Sequence, residues 1–189
     1  SVYIKLKDGN QKNVLEFDSS LNESEQFELS KFVMNKFGFN FSKGRVDTSL
    51  HPFCGGYPDD IRITTKFNKK DFFSSFDALM HETGHALYEF GLPKSFKNQP
   101  IGKAAGMSLH ESQSLFLEMQ IVKTKEFNEF LEILLKNKFK KSSLPWKCEN
   151  LHSKRNKLEK GFIRIEADEV HYPLHIIHRF NLEKKLIKD

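Results

Sequence analysis

The chain has 189 residues, a hydrophobic fraction of 38% that includes 19 phenylalanines, and a formal net charge of +5. These values suit one folded domain with an apolar core and exclude wholesale disorder. The two cysteines, Cys54 and Cys148, exclude a disulfide framework and a cysteine-type zinc finger. No apolar run reaches about 18 residues and no signal-type segment opens the chain. Together these features predict a cytoplasmic protein without a membrane span.

The first half of the chain predicts one helix and one strand. Residues 1–20 mix β-forming residues around a turn at Asp8-Gly9-Asn10. Residues 22–37 show helical spacing of apolar side chains and end before Gly38, a plausible helix stop. Residues 39–58 are rich in glycine and proline, which predicts loops. Residues 61–67 alternate apolar and polar side chains, as a half-buried strand does.

The second half predicts three helices. Asp71 is a candidate N-cap for a helix that ends near Phe90, where Gly91 would be a left-handed cap. A second helix is expected over residues 108–139, and a third over residues 158–188 with a break at Pro173. The lysine-rich stretch 136–160 indicates a solvated surface. The predicted fold class is therefore mainly α, with a small β-sheet or hairpin beside the first of these helices.

That helix contains the sequence HETGH at positions 81–85, which matches the H-E-x-x-H metal-binding pattern. His81 and His85 are four residues apart, so both imidazoles lie on one helix face and can bind one ion. Glu82 points away from this ligand face but is near enough to act on a water molecule at the metal. The simpler alternative is a helix with two ordinary histidines and an exposed glutamate.

A zinc hydrolase needs a third protein ligand and an open fourth position. In thermolysin the third ligand is a glutamate, and a glutamate from the following helix would be Glu111 here. Ser108 and Glu111 also match a capping box, in which the Glu111 carboxylate would accept a hydrogen bond from the Ser108 amide. Glu118 and His110 are rival ligands. Spacing alone therefore leaves the third ligand open.

Five short sequences stand in order between residues 51 and 168. They are HPF at 51–53, D-x-R-x-T at 60–64, HETGHALYE at 81–89, HESQS at 110–114 and I-R-x-x-A-D at 163–168. Each of the shorter ones is weak by itself, but the ordered set is specific. With this set the chain resembles the thermostable (Taq-type) zinc carboxypeptidase family.

The resemblance implies a helical, zincin-like metallopeptidase core that removes C-terminal residues from peptides with broad specificity, usually as a homodimer. His81, His85 and Glu111 would be the metal ligands, for Zn²⁺ or alternatively Co²⁺ or Mn²⁺, and Glu82 the general base and acid. Family members are much longer and carry a G-x-x-Q-D-x-H-W motif that does not occur here. Residues 1–189 are therefore expected to be a single catalytic core fragment, without the N-terminal helical part and that C-terminal motif.

A carboxypeptidase must also bind the free carboxylate of its substrate, a task that suits arginine. Arg62 and Arg164 lie in the family motifs and are the candidates. Alternatively, each pairs with the acid of its own motif, Asp60 or Asp168. Other positions that could reach the cleft as donors are His51, His171, Tyr172 and His175.

Three other functions stay open. A zinc endopeptidase would use the same ligands, and a non-catalytic truncated remnant would keep the metal-site helices without activity. A nucleic-acid-binding module is supported only by the positive charge. That charge comes mainly from lysine, whereas base-reading sites favour arginine. We therefore expect a peptide substrate and no nucleic acid partner.

Overall fold

The computed structural model describes residues 13–69, 71–159, 161–164 and 167–188. The turn predicted at residues 8–10 and residues 165–166 of the last motif lie outside these ranges. The described chain forms six α-helices, namely α1 (Glu23–Lys36), α2 (Phe72–Phe90), α3 (Met107–Leu115), α4 (Lys125–Phe139), α5 (Cys148–Arg155) and α6 (Tyr172–Lys188). The strands are β1 (Gly44–Thr48), β2 (Phe53–Tyr57) and β3 (Asp60–Thr65). The prediction of a mainly α fold with a small sheet is confirmed.

The three strands form one sheet in which β3 is central, paired with β1 in parallel and with β2 in antiparallel orientation. The predicted strand is β3, whose buried residues Ile61, Ile63 and Thr65 face the core. The prediction of loops over residues 39–58 is wrong, because β1 and β2 lie there. Each is five residues long and contains glycine, so the local sequence gives little sign of a strand. Their ladder hydrogen bonds are made with β3, which comes later in the chain.

Helix α2 begins as predicted. The Asp71 carboxylate accepts hydrogen bonds from the amides of Phe73 (3.2 Å) and Ser74 (3.4 Å). At the other end the Gly91 amide donates to the Leu87 carbonyl (3.0 Å) with a φ of −81°. The predicted left-handed cap is therefore wrong, although the helix does end at Phe90. Helix α2 packs against β2 and β3, so the sheet lies beside it as predicted.

The single helix predicted over residues 108–139 is divided into three parts. A π-helical turn, Phe116–Ile121, follows α3, and the Val122 amide donates to the Leu117 carbonyl (3.0 Å). The Thr124 hydroxyl then accepts a hydrogen bond from the Phe127 amide (3.2 Å), which starts α4 as a separate helix. The capping box at Ser108 does not form, because the N-cap of α3 is Gly106 without a side-chain bond.

The lysine-rich stretch 136–160 is less solvated than predicted. Trp146 and Leu151 are 1% and 0% exposed and belong to the core, while the side chain of Lys147, the lysine between them, is 42% exposed. The last helix, α6, begins at Tyr172 instead of residue 158. Pro173 lies in its first turn, where a missing amide costs no hydrogen bond, so it starts the helix rather than breaking it.

One hydrophobic core joins α1, β3, α2, α4 and α5. Its largest fully buried side chains include Phe39, Phe76, Leu79, Met80, Leu131 and Trp146. Because one side of α2 fills this core, its other side is left to carry polar side chains. None of the described helices combines the length and apolar character that a membrane span requires.

Candidate metal centre

The HETGH sequence lies in the middle of α2. Residues in and beside it lie in two environments, the apolar core and a side open to solvent. Leu79, Met80 and Ala86 are fully buried in the core. The side chains of His81 and His85 retain exposures of 20% and 11%. The core therefore fixes the helix, and the two imidazoles point to the side from which solvent can enter.

The Glu111 carboxylate of α3 faces both imidazoles. Its Oε2 atom lies 3.3 Å from Nε2 of His85 and 3.6 Å from Nε2 of His81. The three ligand atoms lie within 4.8 Å of one another, and no other group of three metal-ligating side chains meets in the described part of the chain. Tetrahedral zinc with bonds of about 2.0–2.2 Å has ligand atoms roughly 3.4 Å apart. The geometry and the donor chemistry therefore both fit one such ion.

Gly84 lets α3 approach α2 closely enough for this meeting. A Cβ atom at this position would lie 2.6 Å from Cα of Ser114 and 2.7 Å from the carbonyl oxygen of Gln113. Both of these are backbone atoms of α3, three and two residues beyond Glu111, and cannot rotate away. The glycine within the metal-binding pattern thus sets the distance between the two helices that carry the ligand atoms.

Replacing Gly84 by alanine is expected to lower the free energy of unfolding by about 1–3 kcal/mol, the usual cost of overpacking. At an exposed helical position the same change would stabilise the helix by up to about 1 kcal/mol. Urea unfolding measures the difference. Gly161→Ala is the control, because an added methyl there meets no atom within 4 Å. Equal stability of Gly84→Ala and the parent chain would contradict the close approach.

Each imidazole has a second partner on the ring nitrogen that faces away from Glu111. Nδ1 of His81 lies 2.8 Å from Oε2 of Glu118, which lies in the π-helical turn. Nδ1 of His85 lies 2.6 Å from Nδ1 of His110, whose Nε2 lies 2.8 Å from Oε1 of Glu89. An imidazole that offers Nε2 to a metal carries its proton on Nδ1. Glu118 and His110 can accept a hydrogen bond from that N–H group. Both rival ligands therefore lie on the side of the imidazoles that faces away from Glu111.

The electrostatics of the centre favour a cation. Burial disfavours a charged His81, but hydrogen bonds with Glu111 and Glu118 outweigh it and raise its pKa to about 10. Hydrogen bonds with His81 and His85 lower the pKa of Glu111 far below its usual range. Glu82 is 9% exposed, and burial raises its pKa although the neighbouring imidazoles oppose this. Several carboxyl groups thus surround two imidazoles, a balance that suits a divalent metal ion.

The residues considered for substrate binding have different surroundings. Arg62 forms an exposed ion pair with Asp60 (3.0 Å), its predicted alternative partner. Arg164 does not pair with Asp168; its Nη1 donates to the Tyr172 hydroxyl (2.9 Å). That hydroxyl donates to Oε1 of Glu111 (2.8 Å), so Tyr172 and Arg164 adjoin the metal centre.

His51 is exposed, and its hydrogen bonds use the backbone carbonyl, which accepts from the hydroxyls of Thr64 (3.0 Å) and Ser49. His171 contacts Asp168 (2.6 Å) rather than Glu111. Glu89, the carboxylate that contacts His110, is not among the residues that the sequence predicts for the site. The only available signal was its place at the end of the HETGHALYE sequence.

Two imidazoles and one carboxylate, with a glutamate beside the first imidazole, form the donor set of thermolysin-type zinc hydrolases. A family model described as carboxypeptidase Taq (M32) metallopeptidase matches residues 3–189. The chain belongs to this family of metallopeptidases.

Proteins named as carboxypeptidases are similar to this chain in sequence and in structure. The chain is 33% identical over 186 residues to carboxypeptidase 1 of Bacillus subtilis (strain 168), which covers 96% of this chain and 36% of that protein. It is 36% identical over 165 residues to thermostable carboxypeptidase 1 of Pyrococcus furiosus, covering 85% of this chain and 32% of that protein. The solved structure of Trypanosoma cruzi metallocarboxypeptidase 1 superposes with a TM-score of 0.90 at 40% identity. That match covers 99% of this chain and 38% of the other, so the chain spans little more than a third of its relatives' length.

Proposed function

We propose that residues 1–189 form the single catalytic core of a zinc-dependent metallocarboxypeptidase. The proposed reaction is hydrolysis of the C-terminal peptide bond of peptides with broad specificity. The observation that carries this proposal is the convergence of His81, His85 and Glu111, whose ligand atoms lie within 4.8 Å of one another. Membership of the metallopeptidase family supports it. We assign these three residues as metal ligands and Glu82 as the catalytic residue.

A bound Zn²⁺ ion supplies Lewis acidity, which acidifies water and polarises a carbonyl group. Glu82 takes a proton from the attacking water and delivers it to the leaving amine. Its position beside His81 on α2 keeps it outside the ligand set but next to it. Its burial excludes most competing water, which strengthens its interaction with the reacting groups. The side-chain exposures of 11–32% at the three ligands leave a side from which a peptide can approach.

For the substrate carboxylate we propose Arg164 ahead of Arg62 and His51. Arg164 contacts Tyr172, which contacts Glu111, and its guanidinium has donors beyond the one that Tyr172 uses. The guanidinium of Arg62 already forms an exposed ion pair with Asp60. His51 lies in the loop between β1 and β2. The Arg62 and His51 assignments therefore depend on the family motifs alone.

We further propose Zn²⁺ as the native metal, with Co²⁺ or Mn²⁺ as substitutes, because imidazole and carboxylate donors accept all three. A homodimer is proposed from the resemblance to the family. A cytoplasmic location is proposed because Cys54 and Cys148 are both unpaired, as thiols are in reducing compartments.

Two measurements test the proposed function. Elemental analysis is expected to find one zinc ion per chain, and this zinc should be lost in His85→Ala but kept in His178→Ala. His178 is an exposed histidine of α6 and serves as the matched control. A peptide with a free C-terminus should release free amino acids, whereas the same peptide with a C-terminal amide should not. Both the zinc content and the release of amino acids are expected to depend on the same metal centre.

The alternatives give different results in the same experiment. An endopeptidase would cut the amidated peptide at internal bonds. A non-catalytic remnant would bind zinc and leave both peptides intact. Either outcome would overturn the proposed carboxypeptidase activity, and a zinc-free chain would overturn the metal centre as well.

A further inference from the structure

The two oxygen atoms of the Glu111 carboxylate have different surroundings. Oε2 faces the imidazoles of His85 and His81 at 3.3 and 3.6 Å. Oε1 accepts a hydrogen bond from the Tyr172 hydroxyl at 2.8 Å. The carboxylate therefore directs one oxygen at the candidate metal position, while the other is held by a residue from α6.

The direction of the Tyr172 bond is fixed by its second partner. Nη1 of Arg164 lies 2.9 Å from the Tyr172 hydroxyl oxygen, and the guanidinium carbon lies 5.6 Å from the ring centroid. A guanidinium can only donate, whereas a hydroxyl has one hydrogen to give. Because Arg164 occupies an acceptor position of the hydroxyl, the hydroxyl hydrogen is directed to Glu111. Arg164 thus donates a hydrogen bond to the Tyr172 hydroxyl, which in turn donates one to Glu111.

Asp168 holds the turn that presents Tyr172. Its Oδ1 atom accepts from the amides of Val170 and His171, both at 2.9 Å. Its Oδ2 atom accepts from the Glu159 amide at 3.0 Å, and the Tyr172 amide donates to the Asp168 carbonyl at 2.9 Å. These bonds define where α6 begins. The Arg and Asp of the I-R-x-x-A-D sequence therefore act on the same tyrosine from two sides.

We propose that Tyr172 is a positioning residue that makes Glu111 bind the metal through a single oxygen, and that Arg164 acts through it. This inference rests on the proposed function, since it presumes the metal site. Holding Oε1 leaves Oε2 as the third ligand atom. A carboxylate that bound through both oxygens would take up the fourth position, which hydrolysis needs open.

The test is the zinc affinity of Tyr172→Phe, which removes the hydroxyl and keeps the ring. Competition with a chelator is expected to show a Kd about 10–100-fold higher than in the parent chain, the usual effect of losing a group that orients a ligand. Tyr57→Phe is the matched control. The Tyr57 hydroxyl also has two hydrogen-bond partners, Lys97 and Asn98, on the sheet side of the molecule. Its loss should leave the zinc Kd unchanged.

Arg164→Met provides a second, independent measurement. It should raise the zinc Kd less than Tyr172→Phe does, and combining the two changes should add nothing to Tyr172→Phe alone, because Arg164 acts through the hydroxyl. If the two changes raised the zinc Kd additively, the proposal that Arg164 acts through Tyr172 would be overturned. A role of Arg164 toward the substrate carboxylate would change KM and not the zinc Kd, so the two roles are separable. Should Tyr172→Phe fail to fold, the Kd of Arg164→Met decides alone.

The remaining outcomes are also distinct. An unchanged zinc Kd in Tyr172→Phe overturns the positioning role while the proposed function stands. An unchanged Kd together with a lower kcat would mean that the hydroxyl acts on the substrate, which also overturns it. A parent chain that binds no zinc overturns the proposed function itself.

Discussion

Replacing Glu82 by glutamine is expected to lower kcat for peptide hydrolysis by about 10²–10⁴-fold, the contribution of a positioned general base. Glutamine has nearly the same size but cannot accept the proton. Zinc should remain bound, because Glu82 is not among the three side chains whose ligand atoms converge. The measurements are turnover at saturating peptide and zinc content of the same preparation. Loss of activity with retained zinc would separate the base from the ligands.

Glu126→Gln is the matched control for this change. Glu126 is an exposed residue in the first turn of α4, away from the two helices that carry the ligand atoms. Its replacement makes the same chemical change without altering the metal centre, so kcat and zinc content should equal those of the parent chain. Normal turnover in Glu82→Gln would falsify the assignment of the base. If Glu82→Gln lost its zinc together with its activity, Glu82 would instead be a metal ligand or a residue that positions one.

The parts of the centre that a single helix determines could be predicted from the sequence. The four-residue spacing of His81 and His85 fixes their common face, and the Asp71 cap fixes where the helix begins. The proposed third ligand could not be derived in this way, because the sequence around Glu111 fits a local capping box equally well. Its orientation depends on the close approach at Gly84 and on Tyr172, which lies 61 residues further along the chain.

The errors in the predicted fold have the same origin. Strands β1 and β2 exist because β3 supplies their hydrogen bonds, and a sequence rich in glycine and proline gives no local sign of this. The break before Thr124 lies in a run of good helix formers, so only the hydroxyl that caps α4 marks it. The sequence predicts a helix break at Pro173, although proline favours the first helical turn as well. Local patterns did not distinguish these choices, which the surrounding chain decides.

Arg155 is the clearest case of a residue whose role is set by tertiary structure. It lies at the end of α5, its side chain is 0% exposed, and it forms an ion pair with Asp77 of α2. The same guanidinium donates to the Val122 carbonyl and to Asn128 (3.2 Å), and lies 4.9 Å from the ring centroid of Phe73. It thus joins α5 to α4, to α2 and to the segment that ends the π-helical turn. Asp77 lies four residues before His81 on α2, so these contacts of Arg155 hold the helix that carries the proposed metal ligands.

Replacing Arg155 by methionine is expected to lower the free energy of unfolding by about 3–5 kcal/mol. The Asp77 carboxylate, whose side chain is only 18% exposed, then loses the fully buried guanidinium that is its partner. Burial already raises the pKa of Asp77, and Arg155 opposes this rise. Without the arginine the folded-state pKa should rise further above the unfolded value. The loss of stability caused by the unpaired Asp77 carboxylate then falls as the pH drops through its folded-state pKa. It vanishes below the pKa of the same group in the unfolded chain. Urea unfolding at neutral pH and near pH 4 should therefore show a smaller difference at the lower pH.

The double variant Asp77→Leu/Arg155→Met tests the cause of this loss. If the unpaired carboxylate is responsible, the double variant should be more stable than Arg155→Met at neutral pH and show no such pH dependence. Arg45→Met removes an arginine from an exposed pair with Asp47 and should leave the unfolding transition in place. A double variant as unstable as Arg155→Met would instead assign the loss to the contacts of Arg155 with Val122, Asn128 and the phenylalanine rings. In that case the arginine holds α2 by packing on its phenylalanine rings and holds α4 and Val122 by hydrogen bonds to uncharged acceptors, and the ion pair with Asp77 contributes little.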